Sequence, residues 1–132
     1  MPVDNRDTIC KDIDMTNYEK VREFHKKFQR PLDVCVKGDK FSAEQTAFRI
    51  RLVEEEFTEL KNAIENDDHL NILEELTDVL YAVYGMAAEY GFDIDKAFDR
   101  THESNMSKTM TPGTGKLAKG PDFKPKNLSD LI

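Results

Sequence analysis

Two stretches of helical periodicity mirror one another about residue 67, and they constrain the fold more than anything else in the chain. On the N-terminal side Ile50, Val53, Phe57, Leu60 and Ile64 recur at alternating spacings of three and four, the apolar stripe of an amphipathic helix. On the C-terminal side Leu73, Leu76, Leu80, Val83 and Ala87 repeat the pattern. The run between them, Glu65-Asn66-Asp67-Asp68, is polar and turn-like. These features predict an antiparallel helical hairpin. Folding back at residue 67 sets Glu59 across from Glu75 and Glu56 across from Asp78, because each pair is centred on that residue.

Helical phase tests whether these acids share a face. Advancing about 100° per residue from Ile50, the stripe centres near about 320°, while Glu55, Glu59 and Glu56 fall near about 140°, 180° and 240°. There they interleave with Phe48, Leu52 and Ala63, whereas Glu54, Lys61 and Glu65 lie on a solvated side. Counting from Leu73, Asp78 and Glu75 fall near about 140° and 200°, beside Val79, Ala82 and Met86. Five carboxylates on facing, partly apolar surfaces repel one another and are costly to desolvate. A bound divalent cation removes that cost. Oxygen ligands at i, i+3 spacing on two facing helices suit Mg²⁺, with Mn²⁺ as the alternative. The cluster has no histidine, which argues against zinc. Any one of these glutamates alone reads as a solvated helix acid; the phased and mirrored set reads as a metal site.

The length of 132 residues is that of one domain. No apolar run approaches a membrane span, and the start MPVDNRDTICKDID lacks a signal-peptide core. Cys10 and Cys35 have no metal-like spacing, so free thiols in a reducing, cytoplasmic setting are expected. The net charge of −7 divides unevenly: residues 107–132 carry five lysines against two acids, leaving −10 on residues 1–106. An acidic body disfavours nucleic acid as a partner. The basic tail suits either an anionic ligand or the body's own acids.

Residues 1–15 are expected to form an extended arm. Thr16-Asn17-Tyr18-Glu19 has capping-box spacing and starts a first helix that Pro31 ends. Val21, Phe24, His25 and Phe28 form its apolar face; both phenylalanines read as core, with stacking on a base as the sharper alternative. Ser42-Ala43-Glu44-Gln45 starts the first acidic helix, expected to run to about Asn66. The second is expected from about Asp68 to Gly91, a C-cap glycine. Asp93 then caps a shorter helix to about Asn105, with Ala97, Phe98 and Thr101 facing inward. Gly85 leaves room either for a ligand or for close helix packing. From Ser107 onward proline and glycine rule out a long helix. The fold expected is all-α: a bundle of about four helices in a single domain over 1–132, with an irregular basic tail over 107–132.

A Mg²⁺-filled carboxylate site can neutralise a triphosphate and promote attack of water on phosphorus. No GxxxxGK[ST] loop is present, so phosphates fall to metal and side chains, with the lysines after the last helix available. The patterns EExxEL (Glu55 to Leu60) and ExxD (Glu75 to Asp78) resemble the signature of the MazG-like all-α nucleoside triphosphate pyrophosphohydrolases. The run HESNMSK from His102 to Lys108, followed by GK and KGPDFKP, is similar to short single-domain members related to phosphoribosyl-ATP pyrophosphohydrolase. The resemblance covers roughly residues 16–126.

It implies cleavage between the α and β phosphates, giving a nucleoside monophosphate and pyrophosphate. By the same resemblance Glu56, Glu59, Glu75 and Asp78 would ligate Mg²⁺. Glu55 would hold a further cation or orient and deprotonate the attacking water, a role Glu56 shares. Asn105 would contact sugar or base and Lys108 phosphate, with Lys119 and Lys124 as further phosphate contacts. A homodimer or homotetramer is implied, and the two apolar flanks of the first acidic helix agree. The nucleotide leans to dUTP, with dCTP and dGTP open. Phosphoribosyl-ATP hydrolysis is the second enzymatic reading, and a non-catalytic metal-binding helical module the reading of another class.

Overall fold

The computed structural model describes residues 14–132, so Cys10 and nearly all of the expected N-terminal arm lie outside the described residues. Four helices carry the described chain: α1 (Asn17–Lys27), α2 (Ala43–Glu65), α3 (His69–Tyr90) and α4 (Ile94–Met106). Each starts by the same device. Thr16 Oγ1 accepts from the Glu19 amide at 3.1 Å and Ser42 Oγ from the Gln45 amide at 3.0 Å. Asp68 Oδ1 accepts from the Asn71 amide at 3.2 Å and Asp93 Oδ1 from the Lys96 amide at 3.1 Å. Each side chain satisfies one otherwise orphaned amide, worth about 1 kcal/mol.

The hairpin forms where the mirrored acids require it. Asp67, its midpoint, adopts a left-handed φ of 51°, and its amide bonds the Ile64 carbonyl at 3.0 Å. At the far end Gly91, φ 89°, caps α3 in the left-handed conformation that a Cβ disfavours. Added there, a Cβ would also meet the Asp33 backbone at 2.9 Å. The loop after α1 lies that close because the Asp33 and Val34 amides bond the Ala88 and Glu89 carbonyls at 3.0 and 2.8 Å. Arg22 holds the loop in turn, its guanidinium donating to both Asp33 carboxylate oxygens at 2.8 and 2.7 Å.

Two compact units result: one ends at Gly91 and the other runs Phe92–Ile132. The division thus falls ahead of Ser107, where composition changes. In the first unit the buried apolar residues are Tyr18 and Val21 of α1, Leu60 and Ala63 of α2, and Ala87 and Ala88 of α3. Much of this core is alanine, which lets the helices approach closely. The periodic stripes lie elsewhere: Ile50, Phe57, Ile64, Leu73, Leu76, Leu80 and Val83 are each at least 40% exposed. Arg49, Glu56, Leu60 and Ala63 define the inward face of α2, near about 220–280° in the phase used above. The stripe therefore sits on a flank of the hairpin. Phe24 and Phe28, expected in the core, are likewise 42% and 55% exposed.

The second unit contains α4 and the tail. Phe98, expected to face inward, is 69% exposed. Arg100 instead ties the tail to α4, pairing with Asp130 and donating to the Asn127 carbonyl at 3.0 Å. Thr109–Met110 and Leu117–Ala118 form a two-residue antiparallel pair, too short for alternation to announce it.

Candidate active site

Glu56 of α2 and Glu75 and Asp78 of α3 each bring a carboxylate oxygen within 4.8 Å of the others. The hairpin does this: one turn of helix separates Glu75 from Asp78, and the fold at Asp67 carries Glu56 back to both. Glu56 Oε2 and Glu75 Oε2 are buried without a hydrogen-bond partner. Buried polar atoms are nearly always satisfied, so two orphaned oxygens side by side fit a divalent cation. Burial, reinforced by the nearby Glu56 and Glu59 carboxylates, pushes the Glu75 carboxyl up to about 7. Burial chiefly, with the Asp78 and Glu59 charges, raises Glu56 as well. Such crowding of like charges is typical of functional sites.

The other expected site residues are distributed as follows. Glu59 is exposed yet close enough to act on both Glu56 and Glu75. Glu55 is farther out, its side chain 59% exposed and Oε1 3.9 Å from Arg51 Nε. It shares a shallow groove of about 380 Å³ with Glu54 and Glu59. In the second unit Asn105, Lys108 and Lys119 line one groove of about 310 Å³, and Lys124 lines another of about 270 Å³. Lys119 Nζ lies 5.3 Å from the centre of the Phe123 ring.

A pocket of about 480 Å³ adjoins the carboxylates and shares Glu56 and Asp78 with them. Phe24, Phe28, Phe48 and Tyr81 supply its aromatic surface. Phe24 packs edge-on to Tyr81 at 5.5 Å and tilts against Phe28 at 4.8 Å, so the exposed phenylalanines of α1 form a wall. His25 and Arg49 also line the pocket, though they are only 3% and 5% exposed. Arg49 Nε lies 2.8 Å from Glu89 Oε2 in a buried ion pair. Gly85 serves this pair: a Cβ there would land against Arg49 Nη2 and 3.3 Å from His25 Nε2. The room left by Gly85 thus holds a guanidinium, where the sequence suggested a ligand or a neighbouring helix.

Sequence reasoning passed over Arg49 and Glu89. Their signal was available, since Arg49 lies near about 260° on α2, a phase it shares with the buried Leu60. A charge at a core phase calls for an opposite charge across the hairpin.

The family model for phosphoribosyl-ATP pyrophosphohydrolase matches residues 21–105. The chain belongs to that family. Its match begins in α1, ends at Asn105 in α4, and takes in every acid of the cluster. The phosphoribosyl-ATP pyrophosphohydrolase family lies within the MazG-like superfamily and supports nucleotide pyrophosphohydrolase chemistry. The chain is also similar to the uncharacterized protein L479 of Acanthamoeba polyphaga mimivirus, 29% identical over 106 residues. That likeness covers 79% of this chain but only 40% of the viral protein. Among the described residues no helix is long and apolar enough to cross a membrane.

Proposed function

We propose that this chain is a cytoplasmic pyrophosphohydrolase of nucleoside triphosphates, dependent on Mg²⁺ with Mn²⁺ as a substitute. It cleaves between the α and β phosphates to release a nucleoside monophosphate and pyrophosphate. The observation that carries this reading is the pair of buried, partnerless carboxylates, Glu56 and Glu75, beside an aromatic pocket of nucleoside size. Glu56, Glu59, Glu75 and Asp78 would hold the cation, the first, third and fourth of them converging within 4.8 Å. When bound, the cation supplies charge neutralisation for the phosphates and Lewis-acid assistance to the displacement. Glu55, on the exposed flank, orients the attacking water and takes its proton, a role open to Glu56 too. The aromatic walls stack on the base and keep bulk water from it. Asn105 as a sugar or base contact and Lys108, Lys119 and Lys124 as phosphate contacts are carried over from the resemblance alone.

Among nucleotides the reading leans to dUTP, with dCTP and dGTP next. The description of the matched family favours phosphoribosyl-ATP as a second substrate reading. Pyrophosphate release measured with Mg²⁺ across the common nucleoside triphosphates and phosphoribosyl-ATP decides between them. No release from any substrate would leave only a non-catalytic metal-binding bundle.

The active form is proposed to be a homodimer or homotetramer. Phe57 lies about 160° around α2 from Glu59, so its flank is clear of the acids. Ile50, Phe57, Ile64, Leu73, Leu76, Leu80 and Val83 together expose roughly 700 Å², near the about 800 Å² per partner of a stable interface. A monomer by light scattering at micromolar concentration would overturn this part.

A further inference from the structure

Arg49 is a cation that the phosphate chemistry above does not use. Two direct contacts hold it, and Gln45 and Gly85 support them. Its Nε faces Glu89 Oε2 at 2.8 Å, and Gln45 Nε2 holds the other Glu89 oxygen at 2.8 Å. Its Nη2 donates to the Ala82 carbonyl at 3.4 Å, and Gly85 leaves the space that this nitrogen fills. Nη1 makes no hydrogen bond among the described residues, and Arg49 is one of the residues that line the pocket. Beside it stands His25. Its Nδ1 lies 3.1 Å from the Pro31 carbonyl, which can only accept, so Nδ1 carries the proton. Burial holds His25 below its ordinary pKa and favours the neutral ring, leaving Nε2 a lone pair. The lining of the aromatic pocket therefore includes one residue with a free donor edge and one with a free acceptor.

We propose that Arg49 is a specificity-determining residue: locked by Glu89 and by the space at Gly85, its Nη1 edge donates to an acceptor on the rim of a planar base, while His25 Nε2 accepts from the neighbouring ring N–H. The inference rests on the nucleotide reading above and deepens it. The ligand class is a heterocycle carrying an acceptor next to a donor, as the uracil ring does. A flat ring of equal size without those groups leaves a buried guanidinium edge unpaired and is rejected.

The test compares kcat/KM for dUTP and for its isostere bearing 2,4-difluorophenyl in place of uracil, in wild type, Arg49→Lys and Gly85→Ala. Arg49→Lys keeps the charge facing Glu89 but loses the planar fork. Gly85→Ala keeps Arg49 and displaces its guanidinium, so it answers the question if the lysine variant folds poorly. Wild type is expected to prefer dUTP by roughly 10- to 100-fold. Both variants are expected to shrink that ratio towards one, mainly through KM. A merely structural role would lower both substrates alike, leave the ratio intact and shift only the melting temperature; that result overturns the inference. A wild type indifferent to the two rings overturns it too, while leaving the pyrophosphohydrolase reading standing. No turnover of any nucleoside triphosphate overturns both.

Discussion

The α2–α3 hairpin gathers charge in two places, and the two are built on opposite rules. Towards the Gly91 end Arg49 meets Glu89, with Gln45 and the Ala82 carbonyl completing the set. Nearer the turn half-buried Glu56, buried Glu75 and exposed Asp78 converge, with Glu59 beside them. A buried ion pair replaces lost hydration with Coulomb attraction and hydrogen bonds. Three converging carboxylates have no such compensation, and burial beside like charges raises the proton affinity of Glu56 and Glu75. The paired charges neutralise each other within the chain, although Arg49 Nε and Glu89 Oε2 meet at 2.8 Å without hydrogen-bond geometry. The like charges lack an opposite charge of their own, which is why a cation is proposed there.

The contrast is broken most sharply by neutralising one acid. Asp78→Asn or Glu56→Gln is expected to cut pyrophosphate release about 10³-fold, about 4 kcal/mol of transition-state stabilisation. The same variants should melt at or above the wild-type temperature, because a repulsion has been removed. Lower melting with retained turnover would invert the assignment. Glu89→Ala should behave in the opposite sense: it leaves Arg49 buried without its partner, at a cost of about 3–5 kcal/mol in unfolding free energy. Denaturant titration checks this, and wild-type stability would show that the pair contributes nothing.

Smaller effects sharpen the comparison. Saturating Mg²⁺ should raise the melting temperature of wild type by a few degrees and leave Asp78→Asn unmoved. The metal-free protein should also respond to pH. The Glu75 carboxyl is raised from 4.5 to about 7 in the folded state. Its contribution to stability is therefore complete below about pH 4.5 and is lost as pH climbs through about 7. Thermal melts in chelator from pH 5 to pH 8 should fall, and Mg²⁺, which takes the deprotonated acids, should flatten the fall. A chelated protein that gains stability over that range would contradict the crowding of the carboxylates.

The hairpin and its acids were legible because both depend on local rules. Capping side chains at Thr16, Ser42, Asp68 and Asp93 announce helix starts, and equal spacing about Asp67 sets which residues meet. What escaped notice depends on which face turns inward. The stripe of Ile50, Phe57 and Ile64 is exposed within the chain, and alanines with Leu60 form much of the core. Apolar periodicity registers burial of any kind, including burial that needs a second chain. Phe24 and Phe28 were misplaced for the same reason, since a pocket wall and a core face read alike. Arg49 on one arm of the hairpin meets Gly85 and Glu89, one turn apart on the other, and no short window along the sequence holds both arms.

The central claim is that Glu56, Glu75 and Asp78 grip one divalent cation between two helices. Anomalous scattering from crystals grown with Mn²⁺ tests it most directly. The account predicts a peak bounded by all three carboxylates in wild type and none there in Asp78→Asn. A wild-type peak elsewhere, with these three carboxylates bare, would contradict it.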